Sequence, residues 1–150
     1  MRVAFGCDHG GYPLRDPIIE RLRAGGHTVV DCGAYVFDPN DDYPDFTFAA
    51  GEALQRGDAD RAIVACGSAV GAAIAANKLR GIRASIAHDT YSAHQGVEHD
   101  NMNVLALGAR VIGPALALEL VDTFLRANFS GAERHVRRLA KVQEVENKQM

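Results

Sequence analysis

The stretch Arg61-Ala62-Ile63-Val64-Ala65-Cys66-Gly67-Ser68-Ala69-Val70-Gly71 decides how the chain is read. Residues 61–66 are an apolar run of strand length that ends in a thiol. Gly67 and Ser68 make a small-residue turn, and residues 69–79 read as a helix. The same alternation continues outward in both directions. Upstream, residues 2–7 are a short apolar strand ending in Asp8-His9-Gly10-Gly11. A helix over 13–24 places Ile18, Ile19 and Leu22 on one face and stops at Gly25-Gly26. Residues 27–32 are a second strand, 33–45 an acidic loop with Pro39 and Pro44, and 46–56 a helix closed by Gly57. Downstream come a strand over 83–87, a helix within 90–98 and a strand over 103–107. A helix over 115–127 then stacks Leu116, Leu120 and Phe124 at i, i+4, i+8, and a basic helix runs over 132–146.

Short strands alternating with helices predict an α/β fold, a single doubly wound (Rossmann-like) domain spanning residues 1–150. Its five-stranded parallel sheet is flanked by helices on both faces, with the strand order expected as 2-1-3-4-5. Ligands of such folds bind beyond the carboxyl ends of the strands. That rule singles out Cys7-Asp8-His9, Cys32-Gly33, Cys66-Gly67-Ser68 and Ala87-His88-Asp89 before any motif is considered.

Composition narrows the function classes. The 150 residues carry 16 Lys and Arg against 19 Asp and Glu, a formal charge of −3. Such a mildly acidic chain is not one that coats nucleic acid. Its longest apolar run, 62–76, is interrupted by glycines and Ser68 and is too short for a membrane span. With no apolar leader in Met1–Gly6, and with an odd three cysteines, free thiols in a reducing cytoplasm are expected rather than a disulfide framework.

Cys66 at a strand-to-helix turn has two readings. The unpaired N–H groups of a helix start can hold an anion, and their field would favour a thiolate, so one turn can supply a base and an oxyanion hole. Alternatively Cys66 is a small buried hydrophobe and the glycines allow close packing. Asp8-His9 is either a polar pair for sugar hydroxyls or phosphate, or a helix cap with a bystander. His99, in a polar loop ahead of the fifth strand, is either a general acid–base or a surface residue, and His88-Asp89 is similarly open. Arg134 and Arg138 share a helix face at i, i+4, which suits a phosphate dianion or simply a solvated face, and Arg110 is a further candidate. Known phosphate loops do not fit. A cysteine-phosphatase loop needs Arg where Ala72 stands, and a Walker loop needs Lys after Gly71. No His/Cys/Asp cluster has ordinary metal-ligand spacing, so no structural zinc is expected.

Together these segments resemble the ribose-5-phosphate isomerase type B family, which includes galactose- and allose-phosphate isomerases. The matching blocks are Gly6-Cys7-Asp8-His9-Gly10-Gly11, Asp42-Tyr43-Pro44-Asp45, Cys66-Gly67-Ser68, Ile74-Ala75-Ala76-Asn77-Lys78, Gly81-Ile82-Arg83-Ala84, His88-Asp89-Thr90-Tyr91-Ser92-Ala93, residues 103–113 and Arg134-His135-x-x-Arg138. The resemblance implies an aldose–ketose isomerase acting through an enediolate, with neither a metal nor an organic cofactor. Cys66 would be the base, Ser68 would assist proton movement, and His99 with Asp8 would serve ring opening and the ring hydroxyls. His9, Arg110, Arg134 and Arg138 would take the phosphate. Tyr43, Gly67, Ala69, Val70, Gly71 and Asp100 would complete the substrate contacts. It further implies a homodimer or tetramer with sites at the subunit interface, the helix over 132–146 lying there. Two departures stand out. Ala69 occupies a position that is usually glycine, and Asp100-Asn101 replaces Asn-Asp after His99. A 6-phosphorylated hexose, allose or galactose 6-phosphate, and a non-catalytic sugar-phosphate module are the alternatives.

Overall fold

The apolar runs become β1 (Arg2–Cys7), β2 (Thr28–Asp31), β3 (Arg61–Cys66), β4 (Ala84–Ile86) and β5 (Val104–Gly108), all parallel, in a computed structural model that describes residues 1–149. Between and after them run α1 (Arg15–Ala24), α2 (Tyr43–Gln55), α3 (Val70–Ala76), α4 (Thr90–Asp100), α5 (Pro114–Arg126) and α6 (Glu133–Lys148).

The strand order is β2-β1-β3-β5-β4, which corrects the expected 2-1-3-4-5. The cause is visible in the two last strands. All five residues of β5 are buried, as a strand covered on both faces requires, and it takes the place beside β3 with Cys66 opposite Gly108. The three-residue β4 carries the exposed Ser85 and is left at the edge, where a short polar strand does least harm.

Side chains alternate between the two sheet faces, and the faces differ in size. On one, Phe5, Ile63, Leu105 and Leu107 pack with Ile18 and Leu22 of α1 and with Leu120 and Phe124 of α5. On the other, Ala4, Ala62, Val64 and Ala106 meet Ala50 and Ala53 of α2 and Ala72 and Ala76 of α3. Methyl-sized side chains let α2 and α3 lie close to the sheet. Cys66 belongs to this second, alanine-lined face, so its sulfur is directed to the side on which α3 begins.

Several element boundaries shift for stated reasons. The helix expected over 46–56 starts at Tyr43, because Pro44 occupies the first turn, where a missing N–H costs nothing. The helix expected over 69–79 is only Val70–Ala76: the left-handed Ala69 (φ 71°) cannot be a helical residue and precedes it, and Asn77 caps its end. The helix expected over 13–24 opens with a separate 3-10 turn at Tyr12–Leu14. His99 is not in a loop. It lies in the last turn of α4, which ends at Asn101 in the left-handed conformation that asparagine tolerates (φ 50°).

Candidate active site

β3 delivers Cys66 to the carboxyl edge of the sheet, and the chain reverses through Gly67, Ser68 and Ala69 into α3. The left-handed Ala69 is fully buried, and its backbone N–H turns back to donate to Cys66 Sγ at 3.1 Å. The N–H of Val70 donates to Ser68 Oγ at 3.3 Å. The turn therefore wraps N–H dipoles around the sulfur and the hydroxyl. A non-glycine residue in this region costs about 1–2 kcal/mol, which the surrounding structure must supply.

Glycines press three other segments onto this turn. A Cβ on Gly10 would lie 2.8 Å from Gly67 N, and one on Gly11 would lie 2.1 Å from the Ala65 carbonyl oxygen. A Cβ on Gly108 would sit 2.8 Å from the Ser68 carbonyl carbon. The loop after β1, the end of β5 and the Cys66 turn are thus in backbone contact, and only glycine permits it. Arg110 donates its N–H to the Gly67 carbonyl at 3.0 Å, and its guanidinium packs on the Gly67 Cα. The Tyr43 ring, at the start of α2, lies against Gly71, where a Cβ would come within 2.7 Å of it. Asp8, Tyr43, Cys66, Gly67, Ser68, Gly71 and Arg110, with Val111, line one cavity of about 270 Å³. The largest cavity, about 840 Å³, lies elsewhere, between β4, α4 and the end of α6. Its lining contains no thiol and no imidazole.

Asp8 is buried, and its Oδ1 accepts the N–H of Gly11 at 2.9 Å, so it fixes the loop after β1 rather than capping α1. His9 is held by a residue that no local pattern singles out. Its backbone N–H and its ring Nδ1 both meet Asp41 Oδ1, at 2.8 and 2.7 Å. The hydrogen bond to Asp41 raises the His9 pKa above the ordinary imidazole value, more than its partial desolvation lowers it. Asp8, His9 and Asp41 are also the one group among the described residues whose ligand atoms, all within 4.8 Å, could share a metal ion. Sequence spacing hides this set, since Asp41 is 32 residues from His9. The 2.7 Å Nδ1–Oδ1 separation is that of a charge-assisted hydrogen bond, with a proton between the atoms.

The remaining predicted residues lie at the opposite edge of the sheet. α4 runs back toward the amino ends of the strands, so His99 stands near the start of β5, whose neighbour Asn103 bonds Ala62 at the start of β3. Crossing from there to Cys66 takes about five residues of strand, roughly 17 Å. His99 Nδ1 lies 2.9 Å from Gln95 Nε2, and its ring stacks on His135 with centroids 4.0 Å apart. His135 is buried and bonds Ser130 Oγ through Nδ1 at 2.5 Å. Burial lowers its pKa, helped by His99, Arg134 and Arg138. Arg134 and Arg138 are exposed on α6, and Asp100 lines the larger cavity rather than the one at Cys66. Asp8, His9, Tyr43, Cys66, Gly67, Ser68, Ala69, Val70, Gly71 and Arg110 thus gather at the carboxyl edge of the sheet. His99, Asp100, Arg134 and Arg138 do not join them.

The other cysteines and the other polar strand end are structural. Burial pushes the Cys7 thiol up to about 11 and raises that of Cys32, so both stay protonated, and all three cysteines are free. His88 Nε2 accepts the N–H of Gly108 at 2.9 Å, and Asp89 caps α4 by accepting from Ser92 N–H at 2.7 Å. The pair anchors β5 and α4.

This is an α/β domain with a thiol and a hydroxyl on the turn after its central strand and cations beside it. Residues 3–142 match the model of the Ribose/Galactose Isomerase family, and the chain belongs to that family. It is similar to ribose-5-phosphate isomerase B of Clostridium thermocellum, whose structure superposes with a TM-score of 0.96 at 45% identity over the whole of both chains. It is also similar to ribose-5-phosphate isomerase B of Mycoplasma genitalium, solved with bound ribulose 5-phosphate (TM-score 0.91, 39% identity, 97% of this chain and 96% of that one). A third relative, the D-erythrulose-4-phosphate isomerase of Pectobacterium atrosepticum, is 42% identical over 134 residues, 87% of this chain and 86% of its own.

Proposed function

We propose that the chain interconverts ribose 5-phosphate and ribulose 5-phosphate. The observation that carries the reading is the cavity in which Cys66, Ser68 and Arg110 meet at a turn rich in N–H donors, in a member of a sugar-phosphate isomerase family. About 270 Å³ lies at the lower end of ligand pockets and suits a small polar metabolite.

Isomerisation moves a weakly acidic proton between C1 and C2 of the open-chain sugar. Cys66, as thiolate, takes the proton from one carbon and returns it to the other. The N–H groups of the turn from Gly67 to Gly71 stabilise the enediolate oxygen, an effect worth a few kcal/mol per donor. Ser68 carries the proton between the two oxygens. His9 and Arg110 hold the phosphate away from the reacting carbons, which fixes orientation. His99, Asp100, Arg134 and Arg138 serve a site of a neighbouring copy, with His99 opening the furanose ring. The separation of roughly 17 Å, about five residues of strand, supports that division. So do Val142 and Val145, exposed at i, i+3 on α6 as an apolar surface for a second subunit.

The test is a panel of ribose 5-phosphate, D-erythrulose 4-phosphate, allose 6-phosphate and galactose 6-phosphate, with kcat/KM measured for each and deuterium uptake from solvent followed at the sugar C1 and C2. The highest value is expected for ribose 5-phosphate. A higher value for the four-carbon substrate would transfer the assignment to the activity named for the Pectobacterium relative. Binding with no carbon-bound exchange would leave a sugar-phosphate binding module.

A further inference from the structure

We propose that Asp41 is a positioning residue, a carboxylate behind His9 that fixes the ring and keeps it cationic for a phosphate dianion. The inference rests on the reading of His9 as a phosphate ligand and deepens it, since neither the family's motif blocks nor the comparisons assign Asp41 a role.

The geometry is specific. One oxygen, Asp41 Oδ1, receives both the main-chain N–H and the ring Nδ1 of His9, so residue and ring are fixed from two ends. With Nδ1 committed to Asp41, only Nε2 remains to face a ligand. In neutral His9 the Nδ1 proton stays on the Asp41 bond, and Nε2 would present a lone pair to a phosphate oxygen. Protonated His9 presents a donor there instead. The Asp41 side chain is 10% exposed, and its Oδ2 is buried without a hydrogen-bond partner among the described residues. A carboxylate so placed is costly unless a cation lies against it, and His9 is the group in contact. The acids bearing on the ring are Asp41, from the loop before α2, and Asp8, at the end of β1. Arg110, after β5, packs on Gly67. Both acids favour the imidazolium, and the direction of the His9 pKa agrees.

Asp41 also repels a bound phosphate, but from farther away. An oxygen on Nε2 lies about 3 Å from the positive ring and about 7 Å from Asp41 Oδ1, so attraction exceeds repulsion about twofold. Removing the carboxylate therefore acts in opposite directions at the two ends of the pH range. At low pH the ring is charged without help, and loss of the repulsion leaves binding equal or slightly tighter. At high pH the ring becomes neutral and binding weakens.

The experiment compares Asp41→Asn with the native enzyme at pH 6 and pH 8, taking the ratio of KM values at each pH so that ionisation of the sugar phosphate cancels. Asparagine keeps an acceptor for the His9 N–H. The expected ratio is 1 or below at pH 6 and about tenfold at pH 8, the loss of one charge-assisted hydrogen bond, with kcat little changed. In a His9→Gln background the pH dependence of the ratio should vanish. A ratio that is the same at both pH values, or one whose pH dependence survives His9→Gln, would overturn the proposal. In parallel, the His9 ring titration is followed by NMR with and without sulfate, a dianion across the whole range. Asp41→Asn should move the midpoint down and weaken sulfate binding at pH 8. An unmoved midpoint also overturns it. Since sulfate needs no turnover, an inactive native protein would count against the isomerase reading alone.

Discussion

Gly108→Ala puts the smallest possible side chain where the structure has no room. Gly108 ends β5 opposite Cys66, and the new methyl would lie 2.8 Å from the Ser68 carbonyl carbon, 2.9 Å from its oxygen and 3.0 Å from the Gly67 oxygen. Reaching an ordinary carbon contact of about 3.4–3.5 Å requires the turn to recede by roughly 0.6 Å. The turn is not free to do so. Ala109 N–H holds the Cys66 carbonyl at 2.9 Å, Arg110 N–H holds that of Gly67 at 3.0 Å, and Gly108 N–H is itself bonded to His88. Overpacking of this kind costs about 1–3 kcal/mol, and for a chain of this size each kcal/mol lowers Tm by about 2–4 °C. Catalysis should suffer more. A displacement of about 1 Å at reacting groups costs around 100-fold, so 0.6 Å predicts a fall of roughly 10- to 50-fold in kcat. KM should rise by less, because of the two residues proposed for the phosphate only Arg110 is tied to the displaced Gly67 carbonyl, whereas His9 lies on the loop after β1. Steady-state kinetics with ribose 5-phosphate and thermal unfolding at matched protein concentration measure both effects. Gly113→Ala is the control, since a Cβ there meets nothing within 4 Å and its φ of −85° suits any residue. Native kcat and Tm in Gly108→Ala would refute the reasoning, as would equal losses in the control.

Local patterns carried most of the fold, and they failed where tertiary contacts made the choice. The strand-turn-helix of residues 61–76 is legible because apolar strand, small turn and helix each have their own period. The swap of β4 and β5 is not, because order depends on which strand is buried on both faces, and the rule of sequential neighbours points the other way. Ala69 delays the expected helix by one residue, since alanine signals helix whereas its φ of 71° is set by the turn in which it sits. On the site side, Cys66, Ser68 and Arg110 follow from the strand-end rule. Asp41 was one aspartate among several in an acidic loop, and only the fold brings it to His9. Gln95 is hidden for the same reason, and so is the pairing of His135, which stands beside Arg134 in the sequence but meets His99 only through the contact of α6 with α4.

Three further outcomes follow from the same geometry. Asp31→Asn should lower stability by about 2–3 kcal/mol at neutral pH, because it leaves the buried Arg15 guanidinium, now held by both carboxylate oxygens, without its charge partner. Burial pushes the Asp31 carboxyl up, but the bonds from Arg15 and Gly33 hold it on balance below its ordinary 3.8. The stabilisation is therefore complete above that value and fades as the pH falls through 3.8 and then through the depressed folded value. Urea midpoints of the two proteins should converge in acid, and a constant gap would exclude the ion pair as the cause. Gly71→Ala brings a methyl within 2.7–3.0 Å of the Tyr43 ring and should swing that ring off the cavity, raising KM several-fold with less effect on stability. An unchanged KM would remove Tyr43 from substrate binding. The last outcome concerns the missing half of the site. On the proposed division, with Cys66 and His99 at opposite edges of one sheet, a complete centre forms from two copies, each lending one residue to the other. Cys66→Ala and His99→Asn chains should each be nearly inactive as pure proteins. Refolded together in equal amounts, half of the pairs formed are mixed, and each mixed pair contains one native centre and one doubly altered one, so about a quarter of native activity should return. No recovery, with mixed pairs shown by native mass spectrometry to have formed, would mean that His99 acts on its own chain or not at all.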